Sequence, residues 1–154
     1  KLIKENAKIA TAESCTAGYV SKLLTSIPGS SRYFEGSLIV YSNEAKINVL
    51  GVDKGLVDTY TEVSEVVACN MAERVKRVMG TEYSIATTGY ADINGYGTEE
   101  NPPGTIYVAI STPDGTSAKR LELKGTRERI TYLATIEGLE MIKEAIKSPQ
   151  VSEL

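Results

Sequence analysis

Short strand-like runs alternate with segments of helical periodicity along this chain, and that alternation limits the folds open to it. Residues 8–11 (KIAT) form an apolar run that reads as a strand. Glu13, Ser14, Cys15 and Thr16 then offer capping side chains, and Ala17, Val20, Leu24 and Ile27 fall on one helical face. Residues 28–31 (PGSS) end that helix, and residues 36–41 (GSLIVY) form a second predicted strand. Asn43 is placed to cap a short helix over 44–50, stopped by Gly51. Ser64 caps a longer helix, with Val67, Met71, Val75 and Val78 on one face and Gly80 after its end. Residues 83–87, 106–111 and 119–123 are three further predicted strands, the last two joined through the turn Pro113-Asp114-Gly115. Thr126 caps a final helix whose buried face carries Ile130, Leu133, Ala134, Gly138, Met141, Ile142 and Ala145. The pattern predicts an α/β protein, a three-layer α/β/α sandwich with a mixed, mostly parallel sheet of about five to six strands. No repeat or linker interrupts residues 1–147, which read as one domain, and residues 148–154 read as a frayed tail.

Composition narrows the chemistry. A chain of 154 residues with 42% apolar and 24% charged residues can bury a sizeable core. The net charge of −3 provides no basic footprint for nucleic acid. No stretch reaches the roughly 18 apolar residues of a membrane span. The first residues lack the charged, apolar and small succession of a signal peptide, so the cytoplasm is the expected compartment.

Histidine is absent altogether. That excludes a Ser–His–Asp triad, a Cys–His dyad and any His-ligated metal site. The two cysteines, Cys15 and Cys69, are too few for a Cys-rich metal site and do not suggest a disulfide-stapled fold. A hydrolase built on this chain needs a different general base.

Three regions stand out on their residues alone. The turn at 11–18 (TAESCTAG) joins a strand to a helix start, where free N–H groups favour an anion; a plain cap is the simpler reading. Thr88 and Gly89 open a Gly/Asn/Pro-rich loop over 89–104 at the end of a strand, the usual place for ligands in α/β sheets. No known nucleotide fingerprint lies there, and a long surface loop is the alternative. In the third region, residues 28–46, Lys46 falls at the third helical position after Asn43. The positive end of the helix dipole favours a neutral amine there, with Glu44 opposing; taken alone, Lys46 reads as a solvated surface lysine.

Several segments in order resemble the CinA family, specifically its C-terminal domain and the stand-alone nicotinamide mononucleotide deamidases. They are TAESCT (11–16), IPGSS (27–31), YSNEAK (41–46), LGV (50–52), VSE (63–65), TG (88–89) and PPGTIYVA (102–109), covering residues 1–146. The resemblance implies an amidohydrolase that releases ammonia from nicotinamide mononucleotide, with a serine nucleophile, a lysine base and no cofactor. The second serine of the family's G-S-S motif is Ser31, the tyrosine of Y-[ST]-N is Tyr41 and the lysine of N-E-A-K is Lys46. Thr88 with Gly89, Arg127, and the turn residues Ser14 and Thr16 are the expected substrate-binding groups. The family also suggests a homodimer. A Ser–Lys pair fits the missing histidine, since it replaces Ser–His in acyl transfer. One geometric condition attaches. Ser31 and Tyr41 are ten residues apart, about 33 Å if extended, so the chain must coil or reverse for them to meet.

The family loop G-I-A-G-P-x-G-G is here Gly89-Tyr90-Ala91-Asp92-Ile93-Asn94-Gly95-Tyr96-Gly97. Asp92 would repel a phosphate if it faced the site, which keeps open a non-catalytic relative that binds a nucleotide or a protein. Cys15 at a helix start, with a lowered pKa, is a third candidate as the nucleophile of a Cys-dependent amidase. Tyr90 and Tyr96 are candidates to stack on a pyridine ring.

Overall fold

Five strands build one sheet in the order β2-β1-β3-β4-β5: β1 (Ile9–Glu13), β2 (Phe34–Ile39), β3 (Tyr83–Gly89), β4 (Thr105–Thr112) and β5 (Gly115–Glu122). The computed structural model describes residues 1–147, and the tail expected over 148–154 lies outside them. Strand β1 runs parallel to β2 and β3, whereas β3–β4 and β4–β5 are antiparallel. The sheet is mixed as predicted, but its pairings divide evenly instead of being mostly parallel. The reason is connectivity. The 89–104 segment returns to the sheet without a crossover helix, and Pro113-Asp114 makes a tight hairpin; both force an antiparallel return.

Helices cover both faces, which gives the three layers. On one face lie α1 (Tyr19–Leu24) and α5 (Arg127–Lys147). On the other lie α2 (Asn43–Ala45), a π-helical turn over Lys46–Leu50, α3 (Lys54–Tyr60) and α4 (Glu65–Met79). Strand alternation sorts the side chains between the layers. Ile9, Ile85, Ile106 and Val108 meet Ile130, Ala134 and Ile142 of α5. Ala10, Ala12, Ala86 and Ala109 meet Val67, Met71 and Val75 of α4, and their small size lets that helix sit close. Helix α5 also lies tight on the sheet: a Cβ at Gly138 would stand 2.9 Å from Ile85 Cγ2.

Several local expectations shift. Ser42, not Asn43, caps α2, accepting from the Ala45 N–H at 3.0 Å. Helix α3, capped by Asp53, has no counterpart in the predicted elements; it is short and carries Gly55 in its first turn. Helix α1 ends at Leu24, so Ile27 lies beyond it and is 61% exposed; Val78 of α4 is also exposed.

The parallel register assembles one edge of the molecule. Glu13 pairs with Ile39 on one side and Thr87 on the other. Residues 14 and 40–41 therefore leave the sheet beside 88–89, the last residues of β3, at the C-terminal ends of the parallel strands.

Candidate active site

Ser14 is the first residue after β1, and its N–H still pairs with the Thr87 carbonyl at 3.1 Å. Its hydroxyl accepts from Lys46 Nζ at 3.0 Å and donates to the Tyr41 carbonyl at 3.4 Å. Lys46 Nζ also donates to that carbonyl, at 3.3 Å. The lysine is 1% exposed and heads the fully buried side chains by size. Among the described residues no carboxylate lies within ion-pairing distance of it. Burial pushes the Lys46 ammonium below its ordinary range, while Glu62 pulls the other way. Desolvation therefore makes the neutral amine accessible, and Glu62, not the Glu44 expected from the sequence, is the carboxylate that opposes it.

Ser31 does not join this group. It sits exposed in a single 3-10 turn, Ser30–Arg32, ahead of β2. The six-residue strand between it and Tyr41 spans roughly 17 Å, and parallel pairing aligns its start with Ile9 and its end with Glu13. Ser31 is thus at the N-terminal edge of the sheet and Lys46 at the C-terminal edge. The chain runs straight along β2 between Ser31 and Tyr41, so the two do not meet and Ser31 does not reach Lys46. The signal for Ser14 was already in the sequence, in its placement directly after a strand, but its partner could not be read locally.

The other expected residues divide. Tyr41 takes part through its backbone carbonyl, while its phenol accepts from Arg127 Nη1 at 3.2 Å. Gly89 and Arg127 line the pocket with Ser14, Tyr41 and Lys46. A Cβ at Gly89 would meet Ile106 Cδ1 at 2.4 Å, so only glycine fits that wall. Thr88 also lines the pocket, but its hydroxyl donates to the Glu62 carbonyl at 2.7 Å and so positions backbone. Thr16 is not among the residues lining the pocket, and its buried hydroxyl is held by Glu13 and Thr87, each at 2.8 Å, so that hydroxyl is not free for a substrate.

Glu13 organises the turn that carries Ser14. Its fully buried carboxylate accepts from the N–H groups of Gly18, Val20 and Ser21 at 3.2, 2.8 and 3.0 Å, and from the hydroxyls of Thr16, Thr11 and Ser21. It thereby satisfies the free donors at the start of α1. Ala17 and Gly18, held by this network, both adopt positive φ, at 49° and 100°. Among the capping side chains seen in the sequence, Glu13 is the one that performs the role for α1.

Cys15 faces the opposite environment from a reactive thiol. Burial pushes its pKa up to about 12, where a helix start was expected to lower it. Its thiol is protonated at neutral pH, which removes the basis for a Cys15 nucleophile. The outer wall of the pocket is formed by Glu62, Tyr90, Asp92 and Tyr96. Asp92 turns back on its own loop, accepting from the Asn94 N–H at 3.0 Å. Among the described residues no cluster of metal-ligating side chains occurs, and no helix is long and apolar enough to cross a membrane.

Fold and site together define an α/β protein with a buried Ser–Lys pair at the C-terminal edge of its parallel strands. The CinA C-terminal domain family profile matches residues 1–146, and the chain belongs to that family. CinA-like proteins of Synechocystis sp. and Fervidobacterium nodosum are 42% and 37% identical over 151 and 145 residues, or 96% and 94% of this chain. The chain spans about a third of the length of those relatives, 36% and 35%. The crystal structure of competence damage-inducible protein A from Klebsiella pneumoniae superposes with a TM-score of 0.91 at 28% identity, covering 97% of this chain and 92% of that one. The competence/damage inducible protein of Agrobacterium tumefaciens gives 0.87 at 29% identity, over 93% and 90%.

Proposed function

We propose that this domain is a serine amidohydrolase in which Ser14 is the nucleophile and Lys46 the general base, acting on nicotinamide mononucleotide. The observation that carries the reading is the 3.0 Å contact between Ser14 Oγ and a Lys46 amine that is buried without a carboxylate partner. Such an amine can be neutral, and a neutral amine can take the serine proton.

The steps follow from the contacts. The lone pair of neutral Lys46 accepts the Ser14 proton while one N–H stays on the Tyr41 carbonyl. Ser14 Oγ bonds to the carboxamide carbon, and the C=O electrons move onto its oxygen. In the turn over 15–18 the Ala17 and Gly18 N–H groups are taken by the Ser14 carbonyl and Glu13, so those of Cys15 and Thr16 are its candidate donors for that oxyanion. Protonated Lys46 gives its proton to the departing nitrogen, the C–N bond breaks and ammonia leaves. Water, deprotonated by Lys46, then cleaves the acyl-serine ester to release the acid. Arg127 is the cation at the mouth suited to a substrate phosphate. Tyr90, half-buried in the wall, is better held to stack on a ring than Tyr96, which is 89% exposed.

The test is ammonia release by the purified protein from nicotinamide mononucleotide, with plain nicotinamide as control. Release that is lost in Ser14→Ala and in Lys46→Ala supports the reading. Release that survives Ser14→Ala ends it.

A further inference from the structure

Glu62 is the pocket residue that neither the sequence motifs nor the proposed chemistry uses. It follows Thr61, which ends α3 with φ at +66°, and its carbonyl is fixed by the Thr88 hydroxyl at 2.7 Å. Its side chain is half-buried in the pocket wall. Its field raises the proton affinity of both the Lys46 amine and the Tyr90 phenol, so the carboxylate acts on the base and on the candidate stacking wall alike. Its one side-chain hydrogen bond is a long one, 3.5 Å from Asn43 Nδ2. Among the described residues no Lys or Arg pairs with it. The second pocket carboxylate, Asp92, is committed to its own turn, and Arg127 is engaged with Tyr41.

We propose that Glu62 is a specificity-determining residue that selects amides carried on a cationic ring, a pyridinium rather than a neutral arene. This rests on the reading of the pocket as an amide-binding site. A half-buried, unpaired carboxylate gains from a cation that enters with it and loses hydration to a neutral ring without return. The preference has a second consequence. A ring cation beside Glu62 cancels the field that favours protonated Lys46, so the substrate itself favours the neutral base.

The experiment compares two amides of the same shape, the cation 1-methylnicotinamide and neutral 3-methylbenzamide. Their Kd values are measured by ligand-observed NMR on the wild-type domain and on Glu62→Gln. The wild type is expected to prefer the cation by at least fivefold, and Glu62→Gln by less than twofold, with the affinity for 3-methylbenzamide unchanged. A smaller wild-type preference, a preference that Glu62→Gln retains, or no binding of the cation overturns the proposal. Glu62→Ser is read by the same criteria should Glu62→Gln not fold. Binding is scored without turnover, so failure to release ammonia from nicotinamide mononucleotide would remove the amidase reading and leave this comparison to be decided on its own.

Discussion

Ser14 and Lys46 are 32 positions apart in the chain and 3.0 Å apart in space, Oγ to Nζ. The Tyr41 carbonyl touches both, at 3.4 and 3.3 Å. This three-point contact closes a link between the end of β1 and the turn after β2.

Three alanine substitutions separate the serines and the cysteine. Ser14→Ala should lower kcat for ammonia release by about 10³-fold or more, the usual scale for loss of a nucleophile. Ser31→Ala and Cys15→Ala should stay within about threefold of the wild type, because neither side chain takes part in the contact. A large loss in Ser31→Ala with activity retained in Ser14→Ala would reverse the assignment.

The pH profile reports on Lys46. The base works as the neutral amine, so kcat/KM should rise with pH and level off once Lys46 is deprotonated. Because burial lowers its pKa, the midpoint should fall below the ordinary lysine value of about 10.4. Glu62→Gln removes the opposing field and should move the midpoint lower still. A midpoint at or above the ordinary value would contradict a desolvated base.

The same burial makes Lys46 costly to stability at neutral pH. Its folded pKa is depressed, so between that value and about 10.4 the unfolded chain binds more protons, and stability falls as pH drops through this window. Lys46→Met keeps the volume and removes the penalty. It should raise Tm at pH 7 by about 2–4 °C, roughly 1 kcal/mol for a chain of this size, and the gain should vanish above about pH 10.4. Thermal unfolding at both pH values checks it; a Tm loss at pH 7 would mean that the hydrogen bonds of Lys46 outweigh its desolvation.

Glu13 is a positioning residue. Its carboxylate is fully buried and each oxygen accepts at least one backbone N–H, so Glu13→Gln sets its NH2 against an N–H that can only donate and should cost about 2–4 kcal/mol. The turn carrying Ser14 loosens with it. The expected kinetic signature is a kcat at least tenfold lower with KM within threefold, and a Tm loss readable independently. An unchanged kcat in a folded Glu13→Gln would confine Glu13 to stability.

The fold was legible where its signals are local. Ser64 and Gly80 bound α4 as their types predict, the buried 3.6-residue spacing of Ile130, Ala134 and Met141 marks α5, and the five strands fall close to their apolar runs. A cap, a period or a turn needs only neighbours within a few residues. The missing histidine likewise pointed to lysine from composition alone. What the sequence could not give was the partner of that lysine. Ser31 lies nearer to Lys46 along the chain than Ser14 does, yet β2 holds Ser31 at the far edge of the sheet. Strand register is a long-range pairing. It is the alignment of Glu13 with Ile39 and Thr87 that brings Ser14, Tyr41 and Thr88 to one edge. The burial that lowers the proton affinity of Lys46 and the placement of Glu62 in the wall depend on packing between elements far apart in the chain. Tertiary structure alone decided them.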